Sequence, residues 1–148
     1  MKCAGNWTAT TKGTIEAIWQ PSNYQAGAIG AWGSNGAMIF IGGGSNGNFS
    51  IYMNTTFVLC PVGTYVPFKN YHLALTWNGT VEIGYLNGVP VISQAVGSPS
   101  SPGRVFEVGS YNNSSGGAGL SRWQHIAVYD RDLSAGELLA HAAGAQLR

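Results

Sequence analysis

The 148-residue chain reads as an all-β protein, an antiparallel β-sandwich with one short helix at its C-terminal end. Three observations predict this class. Runs of alternating apolar and polar residues recur roughly every ten residues between Gly, Pro and Asn turns, which is the rhythm of a sandwich. Asn78-Gly79 and Asn87-Gly88 each separate two such runs, and Asn-Gly pairs accept the positive φ that tight hairpins need. Only the stretch after Ser134 carries helix start and stop signals.

Taken in order, "GTIEAIWQP" puts Ile15, Ala17 and Trp19 on one face and Thr14, Glu16 and Ile18 on the other, and Pro21 ends the strand. "AMIFI" and "FSIYM" are short apolar strands on either side of "GGGSNGN". That stretch contains a literal G-x-G-x-x-G at Gly42, Gly44 and Gly47. A dinucleotide loop needs a helix after the glycines and an acidic residue about 20 positions further on. Here a β-prone segment follows, and no Asp or Glu occurs between Glu16 and Glu82, so the run is read as a hairpin turn.

"FVLCPVGTYVPF" is β-rich but broken by Pro61 and Pro67. In "NYHLALTWNGTVEIGYLNGVPVI", Tyr71, Leu73, Leu75 and Trp77 share one face and His72, Ala74 and Thr76 the other; with its two Asn-Gly turns the stretch predicts a β-meander. "RVFEVGSY" is a strand, Asn112–Gly119 a long loop, and His125–Asp130 the last strand. Ser134 and Glu137 have capping-box spacing, and the helix is expected to stop at Gly144.

Composition narrows the function classes. Charged residues make up 9% of the chain, against about 25% in ordinary soluble domains. Low self-repulsion suits a protein that lives in an assembly. The seven Lys and Arg are scattered and the net charge is +1, which leaves no basic stripe for nucleic acid. No apolar run reaches the roughly 20 residues of a membrane span, and "MKCAGNWTATTKG" shows no Sec-type leader. Cys3 and Cys60 are either ordinary thiols or candidates for a disulfide or cross-link.

Two segments carry a resemblance. "YHLALTWNGTVEIGYLNGVPV" is similar to the central strands of laminin-G-like domains, in the concanavalin A-like lectin and glucanase superfamily. "VFEVGSY" followed by "LSRWQHIAVYDRDLSAGEL" resembles their closing segment, and "GTIEAIWQPS" their early strand. The resemblance spans about Gly13 to Ala143 and implies a concanavalin A-like jelly roll over residues 13–148. Residues 1–12 are then an arm or an edge strand. Calcium-binding members supply loop carboxylates, whereas the only Asp residues here are Asp130 and Asp132, so no metal and no cofactor is expected.

Catalysis is weighed next. A glycosidase usually needs two facing carboxylates. Glu16, Glu82 and Glu107 each stand alone among apolar neighbours, which predicts solvent-facing side chains and no enzyme. His72 reads as structural. Sugar binding needs aromatic faces with amides and hydroxyls beside them. Trp32, Ser34 and Asn35, and Tyr111, Asn112 and Asn113, offer that chemistry in predicted loops.

The expectation is a non-catalytic structural or binding protein that works through its surfaces. The first reading is a decoration or accessory subunit on a phage virion surface, made in the cytoplasm. Its partners would be capsid proteins or sister chains, in a homo-oligomer or lattice. The second is a lectin-type module binding surface glycans for adhesion.

Overall fold

A computed structural model describes residues 11–23, 27–32, 39–43, 47–53, 56–60, 65–95, 105–109 and 121–146. These described residues form ten strands, β1 (Gly13–Pro21), β2 (Ala28–Trp32), β3 (Ile39–Gly43), β4 (Phe49–Met53), β5 (Thr56–Leu59), β6 (Tyr71–Trp77), β7 (Val81–Leu86), β8 (Val89–Ala95), β9 (Val105–Val108) and β10 (Ser121–Tyr129). One helix, α1 (Ala135–Gln146), follows them. The strands form two five-stranded sheets, ordered β10-β1-β6-β7-β8 and β5-β4-β3-β2-β9. Every pairing is antiparallel. This is the sandwich that the alternation predicts.

The apolar faces meet between the sheets. Ile15, Ala17 and Trp19 of β1 and Leu73, Leu75 and Trp77 of β6 pack in one core with Ile29, Phe49 and Ile51 of the second sheet. Gly84 marks a close approach of the two sheets: a Cβ there would sit 2.6 Å from Ile51 Cγ2. Cys60 belongs to this core, 4% exposed, and its Sγ donates to the Val91 carbonyl at 3.5 Å. Cys3 lies outside the described residues, so the pairing of the two cysteines stays an expectation.

Both predicted meander turns are present, one of them displaced by a residue. Asn87 and Gly88 have φ of 55° and 77°, the left-handed pair a two-residue turn of the primed class requires. At the other turn Trp77 pairs with Glu82 and the Asn78 N–H donates to the Val81 carbonyl, so Gly79-Thr80 forms the centre rather than Asn78-Gly79. Only Gly79 has positive φ there, at 90°. Asn78 acts as the turn's cap, its Oδ1 accepting from the N–H groups of Thr80 and Val81 at 3.0 Å each. The glycine run joins β3 to β4, which pair antiparallel from Ile39–Met53 to Gly43–Phe49. A strand follows these glycines, as the sequence predicts.

The helix lies on the outer face of the first sheet, where Ala74, Tyr85, Leu133 and Leu138 are packed together. Its start follows the predicted capping box: the Ser134 N–H donates to Glu137 Oε2 at 2.8 Å, and the Glu137 N–H to Ser134 Oγ at 3.3 Å. The predicted stop at Gly144 is wrong, because the helix continues to Gln146. A glycine in a helix costs only about 1 kcal/mol, too little to end it without a left-handed cap. Thr14 clamps the connection from β10 to the helix, since its Oγ1 donates to the Arg131 carbonyl and accepts from the Leu133 N–H, both at 2.9 Å.

Candidate functional site

Strand alternation puts Thr14, Glu16, Ile18 and Gln20 of β1 on the outer face of the first sheet. Register then sets His72 opposite Ile18 and Ala74 opposite Glu16 on one side. On the other side lie Tyr129 opposite Thr14 and Ala127 opposite Glu16. The two alanines flank Glu16 with short side chains and leave room over the carboxylate. His141, in the middle of α1, reaches across to it.

The outcome is a carboxylate gripped from three directions. Tyr129 Oη donates to Glu16 Oε1 at 2.7 Å. His72 Nε2 lies 3.1 Å from Oε2, and His141 Nδ1 lies 3.2 and 3.1 Å from Oε1 and Oε2. A carboxylate accepts only from a protonated nitrogen, so His72 donates from Nε2 and His141 from Nδ1. This leaves Nε2 of His141, whose side chain is 41% exposed, as the nitrogen offered to a ligand. Burial pushes the Glu16 carboxyl up, but the hydrogen bonds from His72, Tyr129 and His141 and the attraction of His141 outweigh it and hold the group at about 2. Glu16 is therefore a fixed negative charge at any physiological pH.

These groups line an open pocket of about 420 Å³, with Ile18, His125, Ala140, Gly144 and Ala145 completing its wall. All three histidines of the chain meet there. His125 arrives by an irregularity. By strict alternation it would share the inner face with Trp123, which packs on Trp19 at 5.9 Å. Between the Glu16–Ala127 and Ile18–Gln124 pairs, however, β10 carries one extra residue, and His125 takes a φ of 50°. Such a bulge re-aims a side chain, here into the outer pocket.

The sequence reading of the carboxylates is corrected at two positions. Glu16 is 7% exposed rather than solvent-facing, because a helix distant in sequence closes over it. Glu82 is fully buried, on the face that its pairing with Trp77 turns toward the core. The side chain of Glu107 lies outside the described residues. His72 is the buried partner of Glu16, so its role extends to shaping this pocket. The members of the site are separated by up to 125 residues, so the sequence carries one signal of it, a polar Glu16 on a mostly apolar strand.

The loop candidates Ser34, Asn35, Tyr111, Asn112 and Asn113 lie outside the described residues. So does the side chain of Trp32, whose backbone ends β2 opposite Val105. Among the described residues, no group of three or more His, Cys, Asp or Glu is placed to hold a metal ion. Among them too, no helix is long and apolar enough to cross a membrane.

The fold defines the class: a jelly-roll β-sandwich of the concanavalin A-like kind, closed by one C-terminal helix. No family model matches the chain, and no curated protein matches it. Solved structures do. A native heptameric SAP-like pentraxin from Limulus polyphemus superimposes with a TM-score of 0.71 at 18% identity, over 95% of this chain and 74% of the pentraxin. Trypanosoma rangeli sialidase, in complex with 2,3-difluorosialic acid, gives 0.71 at 13% identity, over 92% of this chain but only 23% of the enzyme. The receptor-binding domain of botulinum neurotoxin mosaic serotype C/D gives 0.66 at 13% identity, over 96% of this chain and 38% of that domain. At these identities the likeness establishes the shared fold.

Proposed function

We propose that this chain is a non-catalytic carbohydrate-binding sandwich whose ligand rests in the Glu16 pocket between the first sheet and α1. The observation that carries this reading is the convergence of Glu16, Tyr129, His72, His125 and His141 on one open pocket. Concave sites with a few fixed polar groups on an apolar wall are the usual form of small-ligand sites. Imidazole nitrogens beside an immobilised carboxylate present donors and acceptors at set positions, which suits ring hydroxyls. Glycoside hydrolysis is the weaker use of this site. Glu16 is the one carboxylate among the lining residues, and it is already saturated with donors, whereas hydrolysis usually takes a facing pair. Neighbours of the same fold that are named for binding, such as the toxin's receptor-binding domain, are in keeping with this reading.

The test is a glycan array with the wild-type chain, His141→Ala and Trp32→Ala. Binding lost in His141→Ala and kept in Trp32→Ala supports the pocket; the reverse pattern moves the site to the Trp32 and Tyr111 loops. An array on which no glycan binds overturns the reading.

A second reading is assembly on a virion surface through protein interfaces. It draws on the low charge and on the exposed apolar side chains of Ile126 and Val128 on β10, at 39% and 41% exposure. Its test is co-sedimentation with intact particles on a density gradient. Recovery only in the free soluble fraction removes it.

A further inference from the structure

The outer face does not end at the Glu16 pocket. Ile18 is also part of the wall of a second, smaller depression of about 130 Å³, shared with Gln20, Asn70, Arg122 and Gln124. Register explains the placement, since Gln124 pairs with Ile18 and Arg122 with Gln20 across β1 and β10. From Glu16 to Gln20 the strand advances roughly 13 Å at about 3.3 Å per residue. The two depressions are thus consecutive along β1 and share an apolar floor at Ile18.

The second depression has a definite chemistry. Gln20 Nε2 donates to Asn70 Oδ1 at 3.0 Å and to the Phe68 carbonyl at 3.3 Å, which holds both amides in place. The Gln20 oxygen and the Asn70 nitrogen are the groups left over to accept from and donate to a ligand. Gln124 adds a third amide. Arg122 supplies a guanidinium, and among the described residues no carboxylate contributes to this wall. Guanidinium groups bind carboxylates bidentately, by two parallel hydrogen bonds.

A further feature stands at this end of the face. Phe68 has a φ of 65°, a genuine outlier for a bulky residue. Its backbone is tied down on both sides: its N–H donates to the Pro21 carbonyl at 2.6 Å, and its carbonyl accepts from Gln20. Its side chain is 73% exposed, an apolar ring offered to solvent on a residue whose carbonyl holds the Gln20 amide. Strain maintained to hold an aromatic ring in water points to a binding surface.

We infer that the two depressions are subsites of one cleft, and that the cleft takes an acidic oligosaccharide. Arg122 holds the carboxylate of a uronic sugar, while Gln20, Asn70 and Gln124 bind its hydroxyls. A neighbouring sugar lies over Ile18 into the Glu16 pocket. The inference rests on the carbohydrate reading of that pocket and adds the charge and the length of the ligand.

The experiment is a calorimetric titration with a glucuronate-containing tetrasaccharide and with its methyl ester, which has the same sugars and no negative charge. The expected result is at least tenfold weaker binding of the ester to the wild-type chain. Arg122→Gln should weaken the acid by a similar factor and abolish the preference for acid over ester. Gln124→Ala should weaken both forms. Acid and ester binding equally, with Arg122→Gln indistinguishable from wild type, overturns the cleft even if His141→Ala still abolishes binding. Silence toward both forms in a chain that the array shows to bind neutral glycans also overturns it. Silence toward every saccharide removes the carbohydrate reading itself.

Discussion

Replacing Glu82 with glutamine should stabilise this protein at neutral pH, and the size of the gain follows from where the carboxyl lies. Glu82 is fully buried on the inner face of β7, and its carboxyl is pushed up to about 8 by burial. Gln94, directly across on β8, donates Nε2 to Oε1. Oε2 has no hydrogen-bond partner among the described residues. The folded state therefore keeps a proton at pH 7 that the unfolded chain, with an ordinary value of 4.5, releases. A raised carboxyl makes the unfolded state bind fewer protons, so stability falls as pH rises from 4.5 and levels off above about 8. At pH 7 the loss spans about 2.5 pH units, or about 3 kcal/mol at roughly 1.4 kcal/mol per unit. Glutamine has the shape of the protonated acid and does not titrate. Glu82→Gln should match the wild type near pH 4.5 and exceed it by about 3 kcal/mol at pH 7, roughly 10 °C in Tm for a chain of this size. Urea unfolding followed by tryptophan fluorescence from pH 4.5 to 8.5 measures the difference directly. Parallel curves for the two proteins across that range would falsify the reasoning.

Glu16 should titrate with the opposite sign. Its carboxyl sits at about 2 when folded, so its stabilisation is present above 4.5 and is lost as pH falls through 2; acid unfolding of Glu16→Gln should lack that limb. At pH 7 this variant should be less stable by about 2–3 kcal/mol, the worth of hydrogen bonds to a charged group, as read from denaturant midpoints. Gly88→Ala should lower stability by at least about 2 kcal/mol in thermal melts, because φ there is 77° and the added Cβ would lie 2.6 Å from Leu139 Cα in the helix backbone. His125→Gly should relieve the left-handed backbone and leave Tm equal or higher, while glycan affinity drops; an unchanged affinity would show that the bulge serves the sheet alone.

Much of the fold was legible because its signals are local. Alternation in "GTIEAIWQP" and "YHLALTW" sorts Trp19, Leu73 and Trp77 to the core whatever else the chain does. Asn87-Gly88 sets a hairpin, and Ser134 with Glu137 starts a helix, from contacts that span three residues or fewer. The misreadings were also local in kind. Gly144 reads as a helix stop, and Asn78-Gly79 reads as a turn centre one residue early, because Asn can occupy the centre of such a turn or cap it from outside. Local pattern likewise made Glu16 and Glu82 solvent-facing, since a lone carboxylate in a strand usually faces water.

By itself, then, the sequence determined a two-sheet sandwich with a terminal helix, because periodicity and turn chemistry act over a few residues. Only the tertiary structure decided which face became a site. It brought β1 and β10 side by side, laid α1 over their outer face, and so joined Glu16 to Tyr129 and His141, which stand 113 and 125 residues away. It also turned His125 outward through a single extra residue in β10, which no alternation pattern announces. Contacts of that range depend on strand order and register, and these are properties of the packed sheets rather than of any one segment.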